Sequence, residues 1–456
     1  MLKKRNTLLK FAFLTIKISL LTFFALSCAT SGYTFTEIDI AVEQADFPAA
    51  VEEIKKAQKS RSVLYNEKNA VSLFLDKGLL EHYAGNFAAS SADLQNAEKL
   101  IEEAYTKSIS ENFFSYIIND NTREYPGEDF EDIYLNIFNA LNYYSRGNTE
   151  GALVEVRKLS MTNGKLGMLA RKYNYTDPKT GESLNAMIKR ETGIGQIPQT
   201  QTVNFSNSAL ARYLSALFYQ ADGNTDSARI EFEQVERAFY ANRNVYQNQV
   251  PAAVEQARNV PKGTARLNVI CFTGLSPIKE ETIVFQHLPF QHPVLQIAAF
   301  KLPDLIRRPS QITRIEVSAG EAGRFNLELI ENMGSVIEET FKARYANIYI
   351  KTYIRTILKY IAADIAAMET ARQKNEFAGF AVALAARAGL DATESADIRM
   401  SRYLPDKAYI GGINLDPGNY KVVINYYNGN NLVAMEHRET VVTIDGLNLL
   451  HTVNLR

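Results

Sequence analysis

Apolar positions recur at helical spacing from about residue 37 to 260, and three stretches there repeat one another: "YAGNFAASSADL", "YSRGNTEGALVEV" and "QADGNTDSARIEF". Each sets a Gly-Asn turn between two amphipathic stretches, which predicts a helix, a tight turn and a second helix. Aligned on Gly85, Gly147 and Gly223, the position seven residues before the glycine is small (Gly78, Ala140, Ala216). Five residues after it the position is small again (Ser90, Ala152, Ala228), and four further on it is large and apolar (Leu94, Val156, Phe232). After Pro261 the period shortens to alternation in "ARLNVICF", "ETIVFQHL", "VLQIAAFKLP", "QITRIEVS" and "RFNLELI", which predicts strands bounded by Gly, Pro and Ser. A helical period returns over about 334–390, and strands resume with "AYIGGINL", "GNYKVVINYY", "NLVAMEHRETVVTI" and "LLHTVNL". The expected fold is α+β: a helical repeat domain over 37–260, then a β-sandwich-like domain over 261–456 with a helical insertion.

The small and large positions of the first half resemble the tetratricopeptide pattern, in which small residues let two antiparallel helices touch and large ones fill the groove of the next unit. A degenerate earlier unit, "ADFPAAVEEIKKAQ", keeps Ala50, Ile54 and Ala57. The glycines at 85, 147 and 223 stand farther apart than the roughly 34 residues of a regular array, so inserted segments are expected near 104–130 and 160–206. The second insert is rich in turn formers and reads as an exposed loop. Stacked helix pairs curve into a groove suited to an extended peptide or a helix, and Tyr143, Tyr144 and Tyr219 are candidate contacts in it. Their repeat register is also a packing register.

The first 27 residues carry Lys3, Lys4, Arg5, Lys10 and Lys17, no acidic residue, and an apolar segment from Phe11 to Leu26. Its uninterrupted part, Ile18 to Leu26, falls short of the about 20 helical residues that cross a bilayer, so an export signal is expected over 1–27. The end, "FALSC", resembles a bacterial lipobox with its leucine one place late, which makes Cys28 the expected lipidation site and 28–36 a tether. Two or three acyl chains anchor a protein durably where one does not. Ala29 after the cysteine favours the outer membrane, at its periplasmic face.

Composition narrows the chemistry. The formal charge is -1 with five basic residues in the leader, so the mature chain is more acidic, and no basic patch suggests nucleic acid. With Cys28 lipidated, Cys271 is the one remaining thiol, in an apolar run where a buried hydrophobe is expected. Ser276-Pro-Ile-Lys279 and Lys179-Thr-Gly181 match short strings of penicillin-binding enzymes in the wrong order and context. His287 and His292 flank a proline and read as a surface-loop pair without a carboxylate to complete a metal set. "TGIGQ" at 192–196 lacks the surroundings of a dinucleotide loop. No catalytic residue, metal or cofactor is expected.

The strings "GEDFEDIYLNIFNALNYYSRGNTEGALVEVRKL", "LARYLSALFYQADGNTDSA", "VICFTGLSPIKEE" and "ADIRMSRYLPDKAYIGGINLDPGNYKV" resemble a family of uncharacterised bacterial lipoproteins with tetratricopeptide-like helices and a β-rich C-terminal part. Where that family habitually has a tryptophan, this chain has Tyr403. The resemblance implies architecture and envelope location and carries over no site residues. Function is accordingly expected to be that of an anchored, non-enzymatic scaffold binding other envelope proteins, in outer-membrane or peptidoglycan assembly. The alternative is a surface glycan- or nutrient-binding lipoprotein, which the absence of tryptophan disfavours.

Overall fold

A computed structural model of the chain describes residues 34–60, 64–109, 121, 123–160, 165, 205, 207–288 and 290–456. The leader, Cys28 and most of the two expected insertions lie outside these residues. So do Lys179-Thr-Gly181 and residues 192–196.

Helices fill the N-terminal half as antiparallel pairs. They are α1 (Thr36–Glu43) with α2 (Phe47–Lys59), α3 (Ala70–Tyr83) with α4 (Phe87–Ile109), α5 (Asp129–Ser145) with α6 (Thr149–Ser160), and α7 (Ala209–Ala221) with α8 (Thr225–Ala241). A short α9 (Ala252–Arg258) follows. Gly85, Gly147 and Gly223 take φ of 80°, 72° and 75°, the left-handed turn that only glycine adopts freely, and the asparagine after two of them caps the next helix. Ala45 stands in the same place between α1 and α2 with φ 59°, so the first pair uses the turn without its glycine. Ala50, Ile54 and Ala57 are fully buried on α2. The small positions work by contact: a Cβ on Gly78 would lie 2.8 Å from Leu94, and Ser90 donates a 2.6 Å hydrogen bond to the Gly78 carbonyl.

The C-terminal part is built on two largely antiparallel sheets. One contains β1 (Ala265–His287), β2 (Ile297–Arg308), β5 (Glu328–Asn332), β6 (Pro405–Leu415) and β9 (Asn448–Asn454), with β9 parallel to β1. The other runs in the order β4 (Arg324–Asn326), β3 (Arg314–Ser318), β7 (Gly418–Asn428), β8 (Asn431–Val442). Leu267, Val269 and Cys271 of β1 share a core with Ile315, Val317, Val422 and Ile424 of the second sheet. The alternate residues Ile270 and Phe272 face the helices, where Phe272 meets Phe138 with ring centroids 4.9 Å apart. Burial on both faces explains why "ARLNVICF" is a nearly unbroken apolar run. Burial also pushes the Cys271 thiol far above its ordinary range, in keeping with an inert core position.

Two strand boundaries differ from the sequence pattern. "ARLNVICF" and "ETIVFQHL" are one strand: β1 pairs with β6 up to Leu275 and with β2 from there to His287, and its register shifts between Leu275 and Ile278. Pro277, which cannot donate to a ladder, sits where the strand changes partners. Conversely, "RFNLELI" is split, because β4 and β5 on either side of Leu327 belong to different sheets. The helical insertion is α10 (Met333–Gln373), about 60 Å long at 1.5 Å per residue, turning at Lys374 into α11 (Glu376–Thr393). α10 lies along β2, so β1, β2 and the two helices form an arm. No described helix is long and apolar enough to cross a membrane.

Candidate functional site

The densest polar chemistry lies where the helix pairs meet the β part. The first helices of the pairs, α3, α5 and α7, turn one face to it, and each places a polar group there amid apolar neighbours. Asp76 of α3 and Glu131 of α5 close on the segment between α11 and β6. Asp76 accepts from the Ser401 hydroxyl (2.8 Å), the Arg402 amide (2.7 Å) and the Tyr65 hydroxyl (2.8 Å), while Glu131 accepts from the Ser401 amide and the Tyr125 hydroxyl. Burial pushes Asp76 up to about 6 and Glu131 up to about 7, against these donors. Arg402 itself reaches Asp39 on α1, at 2.6 Å, and lies over the Phe35 ring. Tyr403 is fully buried; its hydroxyl donates to Asp39 and its carbonyl accepts from Tyr83.

Glu331 of β5 completes the seam from the other side. Its carboxylate accepts from the Tyr134 hydroxyl (2.6 Å), the Ser208 hydroxyl (2.8 Å), the Leu210 amide (2.9 Å) and the Tyr246 hydroxyl (2.8 Å). Ser208 is the N-cap of α7, so a β-strand carboxylate supplies the negative charge that a helix N-terminus favours. Burial raises the Glu331 pKa all the same.

Two histidines that look unrelated in sequence stack at the same seam. His82 of α3 and His451 of β9 have centroids 5.0 Å apart and planes 27° apart. The Asn142 side chain donates to Ser90 Oγ, leaving its oxygen for His82 at 2.7 Å, so His82 Nδ1 carries the proton. Burial holds His82 down to about 4 and His451 well below the usual imidazole range.

A crevice opens beside the base of the arm, among Phe130, Lys279, Leu305, Phe341 and Arg344. About 240 Å³ of space lies there, open solvent included. Lys279 and Arg344 both pair with Glu128 there.

The residues singled out in the sequence distribute as follows. The Tyr143 hydroxyl accepts from Gln95 at 2.7 Å and its ring packs over Gly151. The Tyr144 hydroxyl donates to the Leu447 carbonyl (2.7 Å) and accepts from the Leu449 amide (2.9 Å), binding the helices to β9. Tyr219 is buried with its hydroxyl 3.1 Å from that of Ser160. All three hydroxyls are thus bonded within the chain. Cys28 lies outside the described residues. Ser276 to Lys279 belong to β1 and do not begin a helix. Asp364 of α10 accepts from the backbone amides of His292 and Gln291. Among the described residues no group of histidine, cysteine and carboxylate side chains is placed to hold a metal ion.

Sequence reading missed Asp76, Glu131 and Glu331. For Asp76 and Glu131 the signal was a carboxylate set among the apolar residues of a helical stretch, as in "SLFLDKGLL" and "DFEDIYLNIF". Their partners at 401 and 402 lie some three hundred residues away, which no local pattern reveals. Compared with protein-family models, curated proteins and solved structures, the chain matches none.

Proposed function

We propose that this protein is a membrane-anchored lipoprotein that acts as a non-enzymatic protein–protein interaction scaffold in the bacterial cell envelope, at the periplasmic face of the outer membrane. The helix pairs are read as tetratricopeptide-like units and the two sheets as a sandwich. One observation carries this reading: every buried carboxylate at the seam accepts from the opposite half, with Tyr65 and Tyr125 of the helical half completing Asp76 and Glu131, so the polar chemistry is spent on fixing the halves together. A body held that way presents outer surfaces in a fixed arrangement. Residues 394–404 and β9 lie against α3 and α5, and partners are taken up on exposed surfaces elsewhere on the body. Lipid at Cys28, six residues before Thr34, holds the folded body within about 20 Å of the bilayer. At such local concentration weak contacts with other envelope proteins become occupied.

The test replaces Cys28 with serine in the full chain and follows labelling by a palmitate analogue, fractionation and crosslinked partners in cells. Loss of label, release from the membrane and loss of partners together support the proposal. Unchanged labelling rejects the anchor; turnover of peptidoglycan fragments or esters by purified protein, with no crosslinked partner, rejects the scaffold.

A further inference from the structure

The two helices of the arm are apolar on both sides. One side packs inward: Tyr360, Ala363 and Ala367 of α10 and Ala383 of α11 are buried against the β1–β2 ribbon and each other, and a Cβ on Gly379 would lie 2.6 Å from Ala371. The other side carries large apolar side chains that are exposed to solvent. Leu358, Ile361 and Ile365 on α10, and Phe377, Phe380 and Leu384 on α11, each follow a helical period, and Phe380 also lies beside the His292 ring, centroids 6.1 Å apart. Phe377 is 81 % exposed, Ile365 64 % and Leu384 53 %. Exposed alanines run between them: Ala362 and Ala366 on one helix, Ala381, Ala385 and Ala388 on the other. Helices that are apolar all round are ordinarily buried.

We propose that this face is a self-association surface, on which the α10–α11 hairpin of a second copy of the chain packs to form a four-helix arrangement. Three observations select that occupant. Rows of alanine between rows of large residues make the ridges and grooves through which helices approach to about 8–10 Å. The six large side chains expose on the order of 600 Å², and with the alanines this nears the about 800 Å² per partner of a stable interface. A lipid surface fits less well, because helices lying on membranes carry Lys and Arg along their polar face, whereas beside these stripes Lys359 pairs with Glu394 and Arg387, the one basic residue of α11, is turned inward to the Val294 carbonyl at 2.7 Å. Two copies related by a two-fold axis bury identical faces and leave nothing open to chain further copies. The inference does not depend on the lipid anchor or on any envelope partner.

The test is crosslinking of the full chain in cells. Leu384→Cys, treated with a short bifunctional maleimide, is expected to give a strong band at twice the chain mass, and Tyr240→Cys, exposed on α8, none. Adding Ile365→Glu is expected to reduce the dimer band at least tenfold, with helix content unchanged by circular dichroism. Absence of the band from Leu384→Cys overturns the proposal, whether the face is open or covered by another part of the chain. Equal bands from both cysteines also overturn it, as does a photoactivatable lipid labelling position 384 in place of dimer formation.

Discussion

The seam and the arm solve the same problem in opposite ways. Both join elements far apart in sequence, and both place residues where isolated helices would not want them. At the seam the awkward groups are charges: Asp76, Glu131 and Glu331 are buried, and each is met by two or more donors, at least one of them from across the interface. In the arm the awkward groups are apolar and remain in water. A buried carboxylate tolerates no error, because each unmet hydrogen bond costs about 1–3 kcal/mol, so the seam specifies one geometry. An exposed apolar stripe specifies none by itself. The contrast teaches that the seam is finished within one chain and that the arm is completed by something outside it.

The largest expected effect comes from breaking the seam. Glu331→Ala leaves three hydroxyls and the Leu210 amide without their acceptor, and a loss of about 3–5 kcal/mol is expected. Denaturant unfolding followed by circular dichroism should show it, with the helical and β signals no longer moving together. Retention of the original midpoint would mean that the seam does not hold the halves.

A second test uses pH. The folded pKa of Glu131, about 7, lies above an unfolded value near 4.5. Its stabilising contribution is therefore fully present below about pH 4.5 and is lost as pH rises through 7, an effect of about 3 kcal/mol at most. Glu131→Gln removes the titration, so the stability gap between the two proteins should narrow from pH 5 to pH 8. His82 works the other way: its folded pKa, about 4, lies below the model-peptide 6.5, so stability is lost as pH falls from 6.5 toward 4. A gap that stays constant with pH would remove Glu131 from the titrating groups.

Much of this architecture is legible in sequence, and the reasons differ by element. Gly85, Gly147 and Gly223 announce themselves because a left-handed turn between helices has few alternatives to glycine. The strands around Leu267 and Val422 follow from alternation and from burial on two faces. Ala45 was not legible as a turn, since it takes the same φ without the residue that marks it. The single strand across Pro277 and the switch of sheets at Leu327 depend on which partner lies beside each strand, and that is not a local property. Of the candidate site, Tyr143, Tyr144 and Tyr219 were found by repeat register, but that register equally describes packing. The carboxylates of the seam were missed because their chemistry belongs to residues on the other side of the chain.

An intermediate effect separates backbone from contact. A Cβ at Gly147 would touch nothing within 4 Å, so Gly147→Ala changes only the cost of holding φ at 72°. About 1–2 kcal/mol is expected, without loss of two-state behaviour. Ala45→Gly is the reverse experiment on the first pair and should be neutral or slightly stabilising, because relief of strain is offset by the greater freedom of glycine in the unfolded chain. A melting series of the two variants checks both signs.

The smallest expected effect lies in the arm, and it tests the comparison most directly. Phe377 begins α11 with four-fifths of its surface in solvent, while the inward contact of that turn belongs to Gly379. Phe377→Ser therefore removes little that the folded single chain uses. Asn375, which caps the helix by accepting from Ala378, is untouched. Measured at high dilution, the change in unfolding free energy should stay within about 0.5 kcal/mol. At concentrations where a second copy can bind, the unsubstituted protein gains stability by mass action and the variant does not, so their melting points should separate as concentration rises. A loss as large at high dilution as at high concentration would show that Phe377 is packed within its own chain, and the arm would then be as complete as the seam.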